Sequence, residues 1–235
     1  MSNSIPPPPP PSSGFPSPPP VPGNYPYAPQ QSFGTVQPAP TGLRKAAVIL
    51  MWLTTASVFF LAFAAFTRKG VWDDFVDGSK SLADLDDADT FIGTALLLSV
   101  VLVLANAIVL AVWSNRVARN AKARGAAVSP GLAAGGWFIP IAWFVVPFGE
   151  LRKAVAGRGD ASSIGVWQGL FAVATIGGAV ALQLFDADSG QSPDDVSSGL
   201  RNQSVGLFIA AFVFIGATVF AMRALRSIEA ATSGA

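Results

Sequence analysis

The chain has 235 residues, of which 51% are hydrophobic and only 12% charged, and its net charge is +1. A water-soluble domain carries about 25% charge, so half of that over a chain this long excludes an ordinary soluble domain. The near-neutral balance excludes a nucleic-acid binder, which needs a basic stripe. The absence of His and Cys excludes Ser-His-Asp and Cys-His catalysis, zinc sites with His or Cys ligands, iron–sulfur clusters and disulfides.

Residues 1–42 are a separate material. Fifteen of the 19 prolines precede Thr41, including the unbroken run from Pro6 to Pro11, and the only ionisable side chains there are Tyr25 and Tyr27. Proline fixes φ and removes a backbone donor, so neither a helix nor a central strand forms. The expectation is a disordered cytoplasmic tail with polyproline II stretches. It is not read as a signal peptide, since no charged segment leads directly into an apolar one. Pro18-Pro19-Pro20-Val21-Pro22 and Tyr25-Pro26-Tyr27 suit an aromatic-lined groove, so one reading is a docking tail for a polyproline-reading cytoplasmic protein. The plainer reading, and the preferred one for such tracts, is a solvated spacer that binds nothing specific.

The remainder, residues 43–229, reads as an all-α membrane domain, with 230–235 as a short C-terminal tail. Four stretches lack any Asp, Glu, Lys or Arg: residues 46–66, 91–113, 164–185 and 205–222. About 20 apolar residues cross the hydrocarbon core of a bilayer, and only a helix satisfies its own backbone there within a single segment. The four stretches are therefore predicted to be transmembrane helices. A fifth apolar stretch, 131–149, starts at Ser129 as cap with Pro130 at the first helical position. Pro140 and Pro147 then interrupt it, and each half reaches only about 13 Å if helical. It is either a kinked span or a re-entrant hairpin.

Charge decides between the two. If 131–149 turns back, 11 basic residues flank the spans on one side and 4 on the other. If it crosses, the counts become 7 and 8. Lys and Arg concentrate on the cytoplasmic side, so the expectation is four spans plus a hairpin, in the cell membrane, with both termini cytoplasmic.

The spans contain no ionisable residue, which argues against ion-coupled carriers. Asn106 is the most polar residue at mid-span, accompanied by Thr54, Thr55, Ser57, Ser99, Gln168, Thr175 and Thr218. Its expected role is a hydrogen bond across to a neighbouring helix, with ligand binding as the alternative. Gly165, Gly169 and Gly177, continued by Ala181, form one small-residue stripe, and Gly206 with Ala210 forms another. Such stripes let backbones approach, here the third span against the fourth. Association with a second copy is a sharper reading that nothing in the sequence specifically indicates.

In the outer loop of residues 67–90, Asp84 to Asp89 lacks the Gly and closing Glu of a calcium loop, so no metal is expected. Val71, Phe75, Leu82 and Leu85 fall near one helical face, predicting a helix lying on the outer interface. Trp113 and Trp137 are expected at headgroup depth. Arg116, Arg119, Lys122 and Arg124 are expected to face the anionic inner leaflet and anchor the topology. Irregular backbone at membrane depth must be buried in protein or line a cavity, and the lack of charge in the hairpin favours burial.

Trp113, Arg116 and Asn120, then Ser129-Pro130, then Gly135-Gly136-Trp137-Phe138-Ile139-Pro140-Ile141, and finally Pro147, resemble the signature of a bacterial membrane family catalogued as a domain of unknown function (number 4328). The resemblance covers roughly residues 44–229, with the specific motif within 113–147. Members typically carry a Pro-rich cytoplasmic tail ahead of several spans. One departure is Trp143, where the family pattern has Asn, so a polar site built on that amide is not carried over. The family implies location and no established activity.

Three functional readings follow. The first is a membrane-embedded scaffold that docks a partner through its tail. The second is a small transporter or channel for a neutral or lipid-like solute, drawing on Asn106 and the hairpin. The third is a lipid-acting enzyme using Glu150 or Asp160 beside Arg152, although a carboxylate next to an Arg is more often an ion pair. The chain is read as a non-enzyme, with no cofactor, catalytic or metal-binding residue.

Overall fold

The computed structural model describes residues 36–38, 40–188 and 192–233. Residues 1–35 and 39 of the expected disordered tail, with both candidate docking segments, lie outside the described residues; its last two residues, 41 and 42, begin a helix.

Four helices dominate: α1 (Thr41–Val76), α2 (Leu82–Ala123), α5 (Ala161–Asp188) and α6 (Pro193–Thr232). Two short helices, α3 (Pro130–Gly135) and α4 (Val146–Val155), and two 3₁₀ turns, Gly136–Phe138 and Ala142–Phe144, fill the connection between α2 and α5. No strand occurs among the described residues. All four long helices are long and apolar enough to cross a membrane, yet only 22–44% of their apolar windows is buried within the protein. On α2 the outward stripe is Leu97, Val101, Leu104 and Ile108, each more than half exposed. A folded chain that leaves such stripes outside requires lipid around them, and the protein is a membrane protein.

The helices overrun the apolar stretches they contain. α2 has 42 residues and reaches about 63 Å, against about 40–45 Å for a bilayer with its headgroups. Much of what reads as outer loop is therefore helix. The predicted interfacial helix spanning Val71 to Leu85 does not form. The chain reverses between Val76 and Leu82, where Gly78 takes φ +78°. Ser81 and Asp84 then close a reciprocal capping box that begins α2. A left-handed glycine and a strong N-cap together impose a break. At the other end of the chain, α6 continues through residues assigned to the C-terminal tail and stops at Thr232.

Specific contacts define the two ends of the bundle. At one end, Arg44 Nε of α1 donates to Glu229 Oε2 of α6 at 2.7 Å, an ion pair with both side chains largely buried. At the opposite end, Trp72 Nε1 donates to the Pro193 carbonyl at 3.3 Å, and Ser197 Oγ donates to Asp73 Oδ1 at 2.7 Å. The four long helices thus run alternately up and down. α6 packs mainly on α5 and α1, and α1 packs on α2.

Helix α5 turns Trp167, Ala174 and Ala181 inward. A Cβ on Gly206 would lie 2.7 Å from the Ala181 Cβ, and one on Gly178 would lie 3.7 Å from the Ala210 Cβ. The contact of α5 with α6 therefore uses Gly206, Ala210, Ala181 and Gly178. Gly169 and Gly177 face outward with open space around them, and Gly165 lies against Arg152 instead. The stripe and the contact face diverge because each four-residue step on a helix turns by about 40°, so the row drifts round α5 and only Ala181 reaches α6.

Candidate functional site

The connection between α2 and α5 enters the bundle and returns to the end it came from. Its two feet are joined: the Ser129 amide donates to Glu150 Oε2 at 2.6 Å. Burial alone would raise the Glu150 pKa. The Lys153 ammonium, 2.7 Å from Oε1, and the Ser129 amide more than reverse this, holding the carboxyl below its ordinary 4.5. The partner of Glu150 is Lys153, not Arg152. Arg152 Nη2 donates instead to Gln168 Oε1 at 2.6 Å. Asp160 accepts from the amides of Ser162 and Ser163 at the start of α5. Both carboxylates therefore serve local structure.

Broken backbone at membrane depth needs hydrogen-bond partners, and facing helices supply them. Ser129 Oγ accepts from the Leu132 amide, with Pro130 at the first position of α3. Asn115 Nδ2 donates to the Pro130 carbonyl at 3.1 Å, and Ser114 Oγ donates to the Ala133 carbonyl at 2.8 Å. Trp137 Nε1 donates to Ser114 Oγ at 3.2 Å. On the returning arm, Gln168 Nε2 of α5 donates to the Phe144 carbonyl at 2.6 Å. The two arms touch where Gly136 meets Pro147, since a Cβ on Gly136 would sit 2.8 Å from the proline Cδ.

Trp113 and Trp137 are enclosed by protein. They are 0% and 2% exposed, and Trp137 packs against Phe148 and Trp167. The hairpin covers this half of α2, so the indoles face protein. Phe138, Ile139 and Pro140 lie on the outer face of the turn, continued by Ile141, which is 87% exposed. Arg116 and Arg119 are exposed on α2. Asn120, 2% exposed, does something else: its Nδ2 donates to the Gln37 carbonyl and its Oδ1 accepts the Gln37 amide, both at 3.0 Å. This two-way amide clamp fixes the root of the proline-rich tail to α2.

Between the hairpin and the four long helices lies a partly open cavity of about 70 Å³. Its wall includes five aromatic side chains, Trp137, Trp143, Trp167, Phe171 and Phe214, and it contains no ionisable side chain. Three wall residues bring a buried polar atom with no hydrogen-bond partner among the described residues: Thr54 Oγ1, Asn106 Oδ1 and Trp143 Nε1. Asn106 therefore does not bond across to a neighbouring helix. Thr55 and Thr218, at 3.0 Å, form a cross-helix hydroxyl pair beside the cavity. Sequence reasoning singled out Asn106 but gave Thr54 only a minor place and Trp143 no polar role. Each is one polar atom on an apolar helix or turn, and nothing local signals that three distant segments converge.

Among the described residues, no group of three or more carboxylates, His or Cys is placed to hold a metal. No curated protein and no solved structure matches the chain. One family model, described as "Domain of unknown function (DUF4328)", matches residues 76–230. The match takes in α2 to the end of α6 and leaves nearly all of α1 outside, a shorter extent than the resemblance over 44–229. The hairpin, both of its feet and the Trp113–Pro147 motif fall within it, and the chain belongs to this family.

Proposed function

We propose that the protein sits in the cell membrane with both termini in the cytoplasm, and that its hairpin walls an intramembrane site for a small, neutral, lipid-like molecule carrying a hydroxyl. One observation carries this reading: Thr54 Oγ1, Asn106 Oδ1 and Trp143 Nε1 belong to the wall of one cavity and are buried without partners. Leaving a buried polar atom unsatisfied costs about 1–3 kcal/mol. A hydroxyl can accept from the indole N–H and from the Thr54 hydroxyl and donate to the amide oxygen, relieving all three together. A charged ligand would meet no counter-charge in this wall and would be costly at this depth. The excess of Lys and Arg at the hairpin end supports the orientation.

Three indoles line the cavity, so their fluorescence reports occupancy. Titrating the purified protein with a monoacylglycerol should give a saturable change. Thr54→Val and Asn106→Leu should each weaken binding about tenfold, the equivalent of one lost hydrogen bond. No saturable change in the wild type, or unchanged affinity in both variants, would reject the reading.

A second reading concerns the tail. The Asn120 clamp at Gln37 supports a role in which the proline-rich segment is held at the cytoplasmic face for a polyproline-reading partner. A purified SH3-type domain should bind the full-length protein and lose binding when the prolines of the tail are scrambled. Equal binding to both would remove this reading.

A further inference from the structure

Where the two feet of the hairpin emerge, a groove of about 810 Å³ is lined by Arg124, Lys153 and Arg158 and otherwise by Gly and Ala alone. Arg124 caps the C-terminus of α2, and Arg158 follows the end of α4. Gly125 at φ +86° and Gly157 at φ +74° turn the chain sharply beside each, a conformation that favours glycine. These two turns bring the guanidinium groups to one groove. Lys153 is answered by Glu150. Among the described residues, no carboxylate answers Arg124 or Arg158, and Arg124 Nε is buried without a partner. Burial, and then the charge of Arg158, lower the Arg124 pKa, as expected of two like charges facing one space. The C-termini of α2 and α4 each contribute about half a negative charge, which leaves the groove cationic.

We propose that this groove binds a phosphate-type oxyanion between Arg124 and Arg158, delivered either by a soluble phosphate compound or by a phospholipid headgroup. Guanidinium groups present paired donors that match the oxygens of a phosphate. Neither arginine lines the intramembrane cavity, so the proposal stands or falls independently of it.

The test uses the full-length protein in phosphatidylcholine nanodiscs, titrated with inorganic phosphate by calorimetry. In parallel, phosphatidylglycerol retention from mixed-lipid nanodiscs is measured by native mass spectrometry. The wild type should bind at least one of the two, more weakly as NaCl rises. Arg124→Gln combined with Arg158→Gln should weaken that binding at least about tenfold. Phosphate binding alone identifies a soluble ligand, and phosphatidylglycerol retention alone identifies a headgroup. Ala127→Glu, which adds a carboxylate at the exposed rim and keeps both arginines, should weaken binding similarly and covers the case in which the double variant misfolds. Absence of both ligands from the wild type, or wild-type affinity in a folded variant, would overturn the proposal.

Discussion

Gly136 and Glu150 each hold the hairpin at a single point, and each can be tested by one substitution. A methyl on Gly136 would meet the Pro147 ring at 2.8 and 2.9 Å, and a proline ring cannot swing away. Gly136→Ala should therefore cost about 1–3 kcal/mol through overpacking, seen as a lower Tm in detergent. Gly135→Ala, with open space around it, should be nearly silent. The carboxyl of Glu150 is held below 4.5 in the folded state. A depressed carboxylate stabilises the fold fully above its unfolded value, and that contribution is lost as pH falls through the folded-state value. Wild-type Tm should therefore drop below about pH 4.5 by more than that of Glu150→Gln, which keeps an acceptor but does not titrate. Parallel acid profiles for the two proteins would contradict the role given to this foot.

Among the elements, the contact between α5 and α6 separates two kinds of glycine that look alike in sequence. Gly206→Leu would drive its side chain into Ala181 of α5 and should cost about 1–3 kcal/mol, whereas Gly177→Leu points outward and should leave Tm within experimental error. Thermal unfolding of the two variants side by side checks this. The apolar runs made the four spans legible, because exclusion of charge over about 20 residues has few other physical causes. The overruns were not legible. Beyond the apolar run, α2 continues on a buried face of Ser114, Val117, Ala118 and Ala121, which is set by what packs on it. The burial of Trp113 was hidden for the same reason: nothing near it in the chain shows that the hairpin covers it.

For the whole molecule, the arrangement rests on charge distribution and on pairings between distant parts. Arg44 with Glu229, Asn120 with Gln37 and Ser129 with Glu150 gather the start of α1, the end of α6 and both hairpin feet at one end. The proline breaks and the Lys/Arg bias made the turn-back legible. The cavity was only half legible: Asn106 stood out as an amide in an apolar run, but Thr54 and Trp143 reach the same space only through the tertiary fold. The central claim is that 131–149 enters and leaves on one side. The chain has no Cys, so single-cysteine variants give unambiguous labelling with a membrane-impermeant thiol reagent in intact cells and in lysed cells. Ala127→Cys and Ser162→Cys, one beyond each foot, should both be protected in intact cells and labelled after lysis, while Ser79→Cys, at the opposite end of the bundle, is labelled in both. Labelling of only one of Ala127→Cys and Ser162→Cys in intact cells would place the feet on opposite sides and contradict the fold as described.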